Sequence, residues 1–129
     1  MQTSDEGYII VGWTDQECRG DVWLIKTDEN GDEEWNHTFD GMGGMDYGKD
    51  IIQTSDGGFI IAGGTRSFGA DGSDFYLIKT AGDGTLVWEN TFGNLDDEEG
   101  NFAQQTADGG YIFGGDIYYA ENDLSDIYI

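Results

Sequence analysis

One eleven-residue segment occurs three times in this 129-residue chain. Gln2-Thr3-Ser4-Asp5-Glu6-Gly7-Tyr8-Ile9-Ile10-Val11-Gly12 returns as Gln53-Thr54-Ser55-Asp56-Gly57-Gly58-Phe59-Ile60-Ile61-Ala62-Gly63. It returns again as Gln105-Thr106-Ala107-Asp108-Gly109-Gly110-Tyr111-Ile112-Phe113-Gly114-Gly115. A second block, Asp21-Val22-Trp23-Leu24-Ile25-Lys26-Thr27, matches Asp74-Phe75-Tyr76-Leu77-Ile78-Lys79-Thr80 and opens a third time at Asp126-Ile127-Tyr128-Ile129. Trp35 and Phe39 pair in the same way with Trp88 and Phe92. These matches divide a single segment, 1–129, into repeats of approximately 1–47, 48–100 and 101–129, about two and a half copies of one unit. A unit of this length is one supersecondary element that cannot bury its own apolar face, so neighbouring copies must stack.

The second copy is complete and shows what the unit is. Apolar, β-branched and aromatic runs at 49–54, 58–65, 74–80 and 85–92 read as four strands separated by turn signals. Asp56-Gly57 between the first two predicts a primed hairpin turn with two positive φ angles. No segment keeps a helical period, and 22 glycines with no proline suit a meander of tight hairpins. The near-continuous apolar stretches Phe59-Ile60-Ile61-Ala62 and Phe75-Tyr76-Leu77-Ile78 predict strands covered on both faces. The predicted fold class is therefore all-β, built of four-stranded antiparallel β-propeller blades, with three, four and three strands in successive copies. Three blades are too few for a ring of the usual four to eight, so the propeller is incomplete within one chain.

Recurring residues are expected to serve the blade itself. Trp23, Trp35, Tyr76 and Trp88 are the expected aromatic repeat core. Lys26 and Lys79 belong with them, each expected to pair with a buried or half-buried carboxylate because an isolated buried charge is costly. The composite pattern Gln-Thr-x-Asp-Gly-Gly-(Tyr/Phe)-Ile-Ile-x-Gly, Asp-x-(Trp/Tyr)-Leu-Ile-Lys-Thr, Asp-x-x-Gly-x-x-x-Trp resembles the propeller repeats of archaeal and bacterial cell-surface proteins. The resemblance covers essentially the whole chain. It implies the propeller fold, a cell-surface or secreted setting, and an adhesion or scaffolding role.

Charge narrows the function classes. The formal net charge is −22, from 27 acidic and 5 basic residues. Nucleic-acid affinity rests on clustered Lys and Arg, so a nucleic-acid partner is excluded, and an anionic membrane surface is disfavoured. No apolar run approaches the ~20 residues of a spanning helix, so membrane insertion is not expected. Met1 is followed at once by Gln-Thr-Ser-Asp, which is not a signal peptide. A single Cys18 gives no disulfide framework, and with only His37 beside it a zinc site is excluded. The acidity reads either as a solvated surface for a salty or extracellular setting or as oxygen ligands for Ca²⁺, the one cofactor the composition allows for.

Candidate site residues lie where the copies differ. The segments 15–20, 67–73 and 118–125 and the links 41–47 and 94–100 vary between copies and fall at one end of an up-and-down blade. Loops on a rigid scaffold carry function, which makes Arg19, Asp46, Arg66, Tyr118 and Tyr119 the candidate ligand-binding residues. Asp96, Asp97, Glu98 and Glu99 form the densest acidic run, either a solvated loop or a Ca²⁺ site completed by backbone carbonyls. The run Asp28-Glu29-Asn30-Gly31-Asp32 lacks the twelve-residue spacing of an EF-hand and reads as a hairpin turn. No nucleophile–base pair or phosphate loop stands out. The expected function is a non-catalytic binding or scaffolding module. Its alternatives are a calcium-stabilised surface-lattice or adhesion protein and a glycan-active propeller enzyme. The expected partner is a second copy, closing a six-bladed homodimeric ring, or the remaining blades of a larger chain.

Overall fold

The computed structural model describes residues 1–15, 19–41, 43–68, 72–94, 96–118 and, as backbone, 125–128. The described residues are all-β. Their strands are β1 (Tyr8–Trp13), β2 (Val22–Thr27), β3 (Glu33–Phe39), β4 (Asp46–Gln53), β5 (Phe59–Thr65), β6 (Asp74–Thr80), β7 (Leu86–Phe92), β8 (Asp97–Gln105), β9 (Tyr111–Tyr118) and β10 (Ser125–Tyr128). They form three antiparallel sheets, ordered β1-β2-β3, β4-β5-β6-β7 and β8-β9-β10. Each sheet is one sequence repeat. Irregularities recur with the repeat too: the ladder slips at Gly48/Asp50 and at Gly100/Phe102, and again at Lys26/Thr27 and Lys79/Thr80. Bulges at fixed repeat positions are part of the unit's design.

The hairpin turns differ from the expected primed type. In the second sheet Gly57 N–H donates to the Thr54 carbonyl and Thr54 N–H to the Gly58 carbonyl, and only Gly57 has positive φ (82°). One left-handed residue closing a three-residue loop is the type I turn with a following bulge, in which Asp56 keeps an ordinary φ. The Asp56 carboxylate accounts for the difference, because it accepts from Gly58 N–H and from the Thr54 hydroxyl and so fixes the turn from within. The third sheet repeats this at Thr106–Asp108 with Gly109 at φ 87°. In the first sheet the left-handed position is Glu6, at φ 69°. A side chain there costs about 1 kcal/mol relative to glycine. Glu6→Gly is therefore expected to stabilise the chain by about 1 kcal/mol, read as a higher urea midpoint at unchanged slope.

Packing between sheets follows one rule, used twice. Ile9, Val22, Leu24 and Phe39 of the first sheet meet Ile51, Phe59, Ile61, Tyr76 and Ile78 of the second in one buried cluster. The other face of the second sheet, with Ile60, Ala62 and Leu77, meets Ala103, Tyr111 and Phe113 of the third. Trp35 packs on Phe59 at 6.2 Å between ring centres, and its counterpart Trp88 on Tyr111 at 5.9 Å. Polar contacts recur in step: Gln53 Oε1 accepts from Ser4 N–H, and Gln105 Oε1 from Ser55 N–H. Every residue of β5 and β6 is buried, because the middle sheet is covered on both sides.

The outer sheets are covered on one side only. Tyr8, Ile10 and Trp23 are exposed, although their repeat counterparts Phe59, Ile61 and Tyr76 are buried. Trp23 thus departs from its expected place in the core, at 38% exposure against 2% for Tyr76, because no described sheet stacks on that face. On the far side of the third sheet Phe102 and Ile112 are likewise exposed.

Candidate functional site

Among the described residues, the variable segments around Gly20, 43–47, 66–68, 72–73 and 96–100 come together at one end of the sheets. Asp46 N–H donates to the Gly20 carbonyl, Arg66 N–H to the Met45 carbonyl, and Glu98 N–H to the Ser73 carbonyl. Gly44 N–H reaches the Ser67 hydroxyl at 3.0 Å. Gly20–Asp46 and Ser73–Glu98 tie the loop of one sheet to the entry of the next, whereas Met45–Arg66 and Gly44–Ser67 tie a link to the loop of the sheet it enters. Two carboxylates anchor these links, Asp46 at the start of β4 and Glu98 near the start of β8. They explain why both strands begin earlier than the apolar pattern suggests.

Asp46 is fully buried and fully satisfied. Its carboxylate accepts from Gly41 N–H at 2.9 Å, from the Ser67 hydroxyl at 2.7 Å and from the Thr65 hydroxyl. This candidate ligand residue therefore spends its oxygens on holding the first link. Glu98 occupies the same repeat position, 1% exposed, and its Oε1 accepts from Asn94 N–H at 3.2 Å. The cross-strand partner of Asp46 is Thr65, whereas that of Glu98 is Ile117. The hydroxyl is gone, and Glu98 Oε2 is buried with no hydrogen-bond partner among the described residues. It lies beside a second buried carboxylate, Asp74. A methyl group placed on Gly93 would overlap Asp74 Oδ1 and come within 2.8 Å of Glu98 Oε2, so both oxygens pack against the same face of this glycine. Gly93 and Glu98 also line a cavity of about 90 Å³ with Phe75, Phe92, Asn94 and Ile117. Burial holds Asp74 above the usual carboxylate range. Burial, aided by the charges of Asp74, Asp96 and Asp97, does the same to Glu98 against the pull of the Asn94 N–H.

The acidic run at 96–99 does not act as a unit. Three of its members lie in β8 rather than in a loop, and their side chains diverge. Asp97 accepts from Ser73 N–H at 2.8 Å and lies 3.6 Å from Arg66. Glu99 bonds the Tyr47 hydroxyl at 2.8 Å and Lys49 Nζ at 2.6 Å. Asp96 caps the link by donating its N–H to Asn94 Oδ1. Alternation along a strand sends neighbouring side chains to opposite faces, which is why a run of four acids is not a cluster of four. Among the described residues no three carboxylate, imidazole or thiol groups converge as a metal site would require.

The remaining candidates are dispersed. Arg19 and Tyr118 are exposed on the variable segments. Arg66 is exposed and engaged with Asp97. Tyr119 and Cys18 lie outside the described residues. Lys26 and Lys79 sit at the opposite end, under the turns. Lys79 Nζ, on a residue 4% exposed, lies 3.1 Å from Asp56 and donates to the Thr54 hydroxyl and the Thr80 carbonyl. Lys26 lies 3.0 Å from Asp5 and 2.8 Å from Glu34. The paired carboxylates are exposed rather than buried, because each lysine stays beneath its turn and the carboxylates reach its ammonium from the solvent side. The Thr3 and Thr54 hydroxyls, helped by these lysines, hold Asp5 and Asp56 down at about 2.

Sequence reasoning missed the pairing of Asp74 with Glu98. A signal was present: an acid stands two residues before the recurring glycine in both Asp46-Tyr47-Gly48 and Glu98-Glu99-Gly100. Neither protein-family profiles nor curated proteins give a match to this chain. No helix among the described residues is long and apolar enough to cross a membrane.

Proposed function

We propose that this chain is a run of β-propeller blades acting as a non-catalytic binding or scaffolding module, whose two open faces are covered by blades of the same repeat supplied by a second copy. One observation carries the reading: a single packing rule joins the first sheet to the second and the second to the third, and it leaves one unmet half at each end. The exposed Tyr8, Ile10 and Trp23 correspond to the half that Phe59, Ile61 and Tyr76 fill inside the chain. The exposed Ile112 corresponds to Ile60, which fills the other half. Two copies meeting by this rule make a head-to-tail contact twice around one axis, and such contacts form a ring when the rotation closes. The variable segments then lie together at one end of the ring, where a ligand would be read.

Static light scattering at low and high salt tests the second copy. The mass of two chains is expected at high salt, where the −22 charge on each is screened. Ile10→Asp is expected to return the mass of one chain while leaving the strand signature in circular dichroism unchanged. A folded particle that stays monomeric at every salt concentration overturns the association.

A further inference from the structure

The two seams within the chain meet the same demand with different means. At the first, the buried carboxylate of Asp46 finds Thr65, Ser67 and Gly41 N–H. At the second, Ile117 replaces the threonine, and the longer Glu98 turns an unpartnered oxygen toward Asp74 over Gly93. Two buried carboxylates packed against one glycine repel each other, and leaving buried hydrogen-bonding capacity unmet is costly. Among the described residues no ion pair joins either carboxylate to a cation: Lys49 and Arg66 are held by Glu99 and Asp97, and Lys26 and Lys79 lie beneath the turns. Asp96 and Asp97 add to the negative field at Glu98.

We infer that Asp74 and Glu98 hold a calcium-type divalent cation over Gly93, at the seam between the second and third sheets. The donors suit it. Ca²⁺ takes carboxylate oxygens singly or in pairs, with backbone carbonyls and water, in flexible geometry, whereas Mg²⁺ demands a strict octahedron. The cavity of about 90 Å³ beside Gly93 and Glu98 has room for the ion's remaining waters. Glycine at 93 lets the two carboxylates approach, since a side chain there would push Asp74 away. The ion would bridge β6 to β8 and so clamp two sheets together. The site lies inside one chain and does not rest on ring closure.

The test is thermal melting of the chelator-treated protein with CaCl₂ added at constant ionic strength, which separates site binding from general screening. Millimolar Ca²⁺ is expected to raise the melting temperature by about 5 °C, with a smaller response to Mg²⁺. Glu98→Gln and Gly93→Ala are each expected to abolish that rise, and Asp32→Asn, on an exposed turn, to leave it intact. No shift in the unaltered protein overturns the site. So does a full Ca²⁺ response in Glu98→Gln. Should either variant fail to fold, Asp74→Asn gives the same readout, and isothermal titration of Ca²⁺ into the unaltered protein must still show a site that Mg²⁺ fills more weakly.

Discussion

Phe59→Ala is expected to cost about 3–5 kcal/mol, a large part of the stability of a domain this size. Phe59 is 1% exposed, packs on Trp35 across the first seam, and belongs to the larger apolar cluster. Its removal leaves a cavity between two sheets that are tied by their own ladders and cannot collapse into it. Urea unfolding would show a much lower midpoint or no cooperative transition. The repeat supplies an internal control, because Tyr8 holds the same place in the first copy and is exposed. In an isolated chain Tyr8→Ala should cost under about 1 kcal/mol. In an assembled ring the two substitutions should converge, since Tyr8 would then fill a seam of its own. Their difference, measured under conditions of one-chain and two-chain mass, reports directly on whether the open face is covered.

Gly63→Ala is expected to be at least as disruptive, for a different reason. A Cβ on Gly63 would overlap the backbone carbonyl of Tyr47 on the neighbouring β4, and Gly115 stands in the same relation to Glu99 on β8. A flexible side chain could yield, but a hydrogen-bonded strand cannot, so β4 would have to part from β5. The expected cost is upwards of about 3 kcal/mol. Gly12 is the counterpart in the first sheet, and a Cβ there meets nothing within 4 Å among the described residues. Gly12→Ala should therefore change the stability of a lone chain by no more than about 0.5 kcal/mol. If Gly12→Ala becomes costly only at the mass of two chains, association brings another segment against β1.

Much of this architecture was legible in the sequence, because the repeat acts as its own alignment. Asp74–Thr80 was delimited as a strand to the residue, and the expected three, four and three strands are those of the three sheets. What escaped was set by contacts rather than by pattern. The turn at Asp56-Gly57 has the composition of a primed hairpin, and only the side-chain bonds of Asp56 select the bulged form. The starts of β4 and β8 fall in the links 41–47 and 94–100, which differ between copies, and Asp46 and Asp97 have low strand propensity. Each is pinned by bonds to a segment distant in sequence. Trp23 has the pattern of a core residue and is exposed, because burial depends on what stacks outside the first sheet. That Glu98 lacks the hydroxyl partner Asp46 has follows from Ile117 standing across the ladder from it, a pairing set by the strand register.

The glutamine that opens each eleven-residue segment has a consequence for how such chains grow. Gln53 and Gln105 each reach back to the turn of the preceding copy and accept a main-chain N–H, from Ser4 and from Ser55. The donor belongs to the backbone, so Ala107 in the third copy offers it as well as a serine does. Each unit thus carries both halves of its own joinery, with the acceptor at its entrance and the donor a few residues on. A gene duplication that copies one whole unit in frame, from any breakpoint, rebuilds every seam without a compensating mutation. A loss or gain that is not a whole unit breaks two seams at once. Lineages of this sequence should therefore differ in length by whole steps of about 52 residues, the mark of a protein inherited by the cassette.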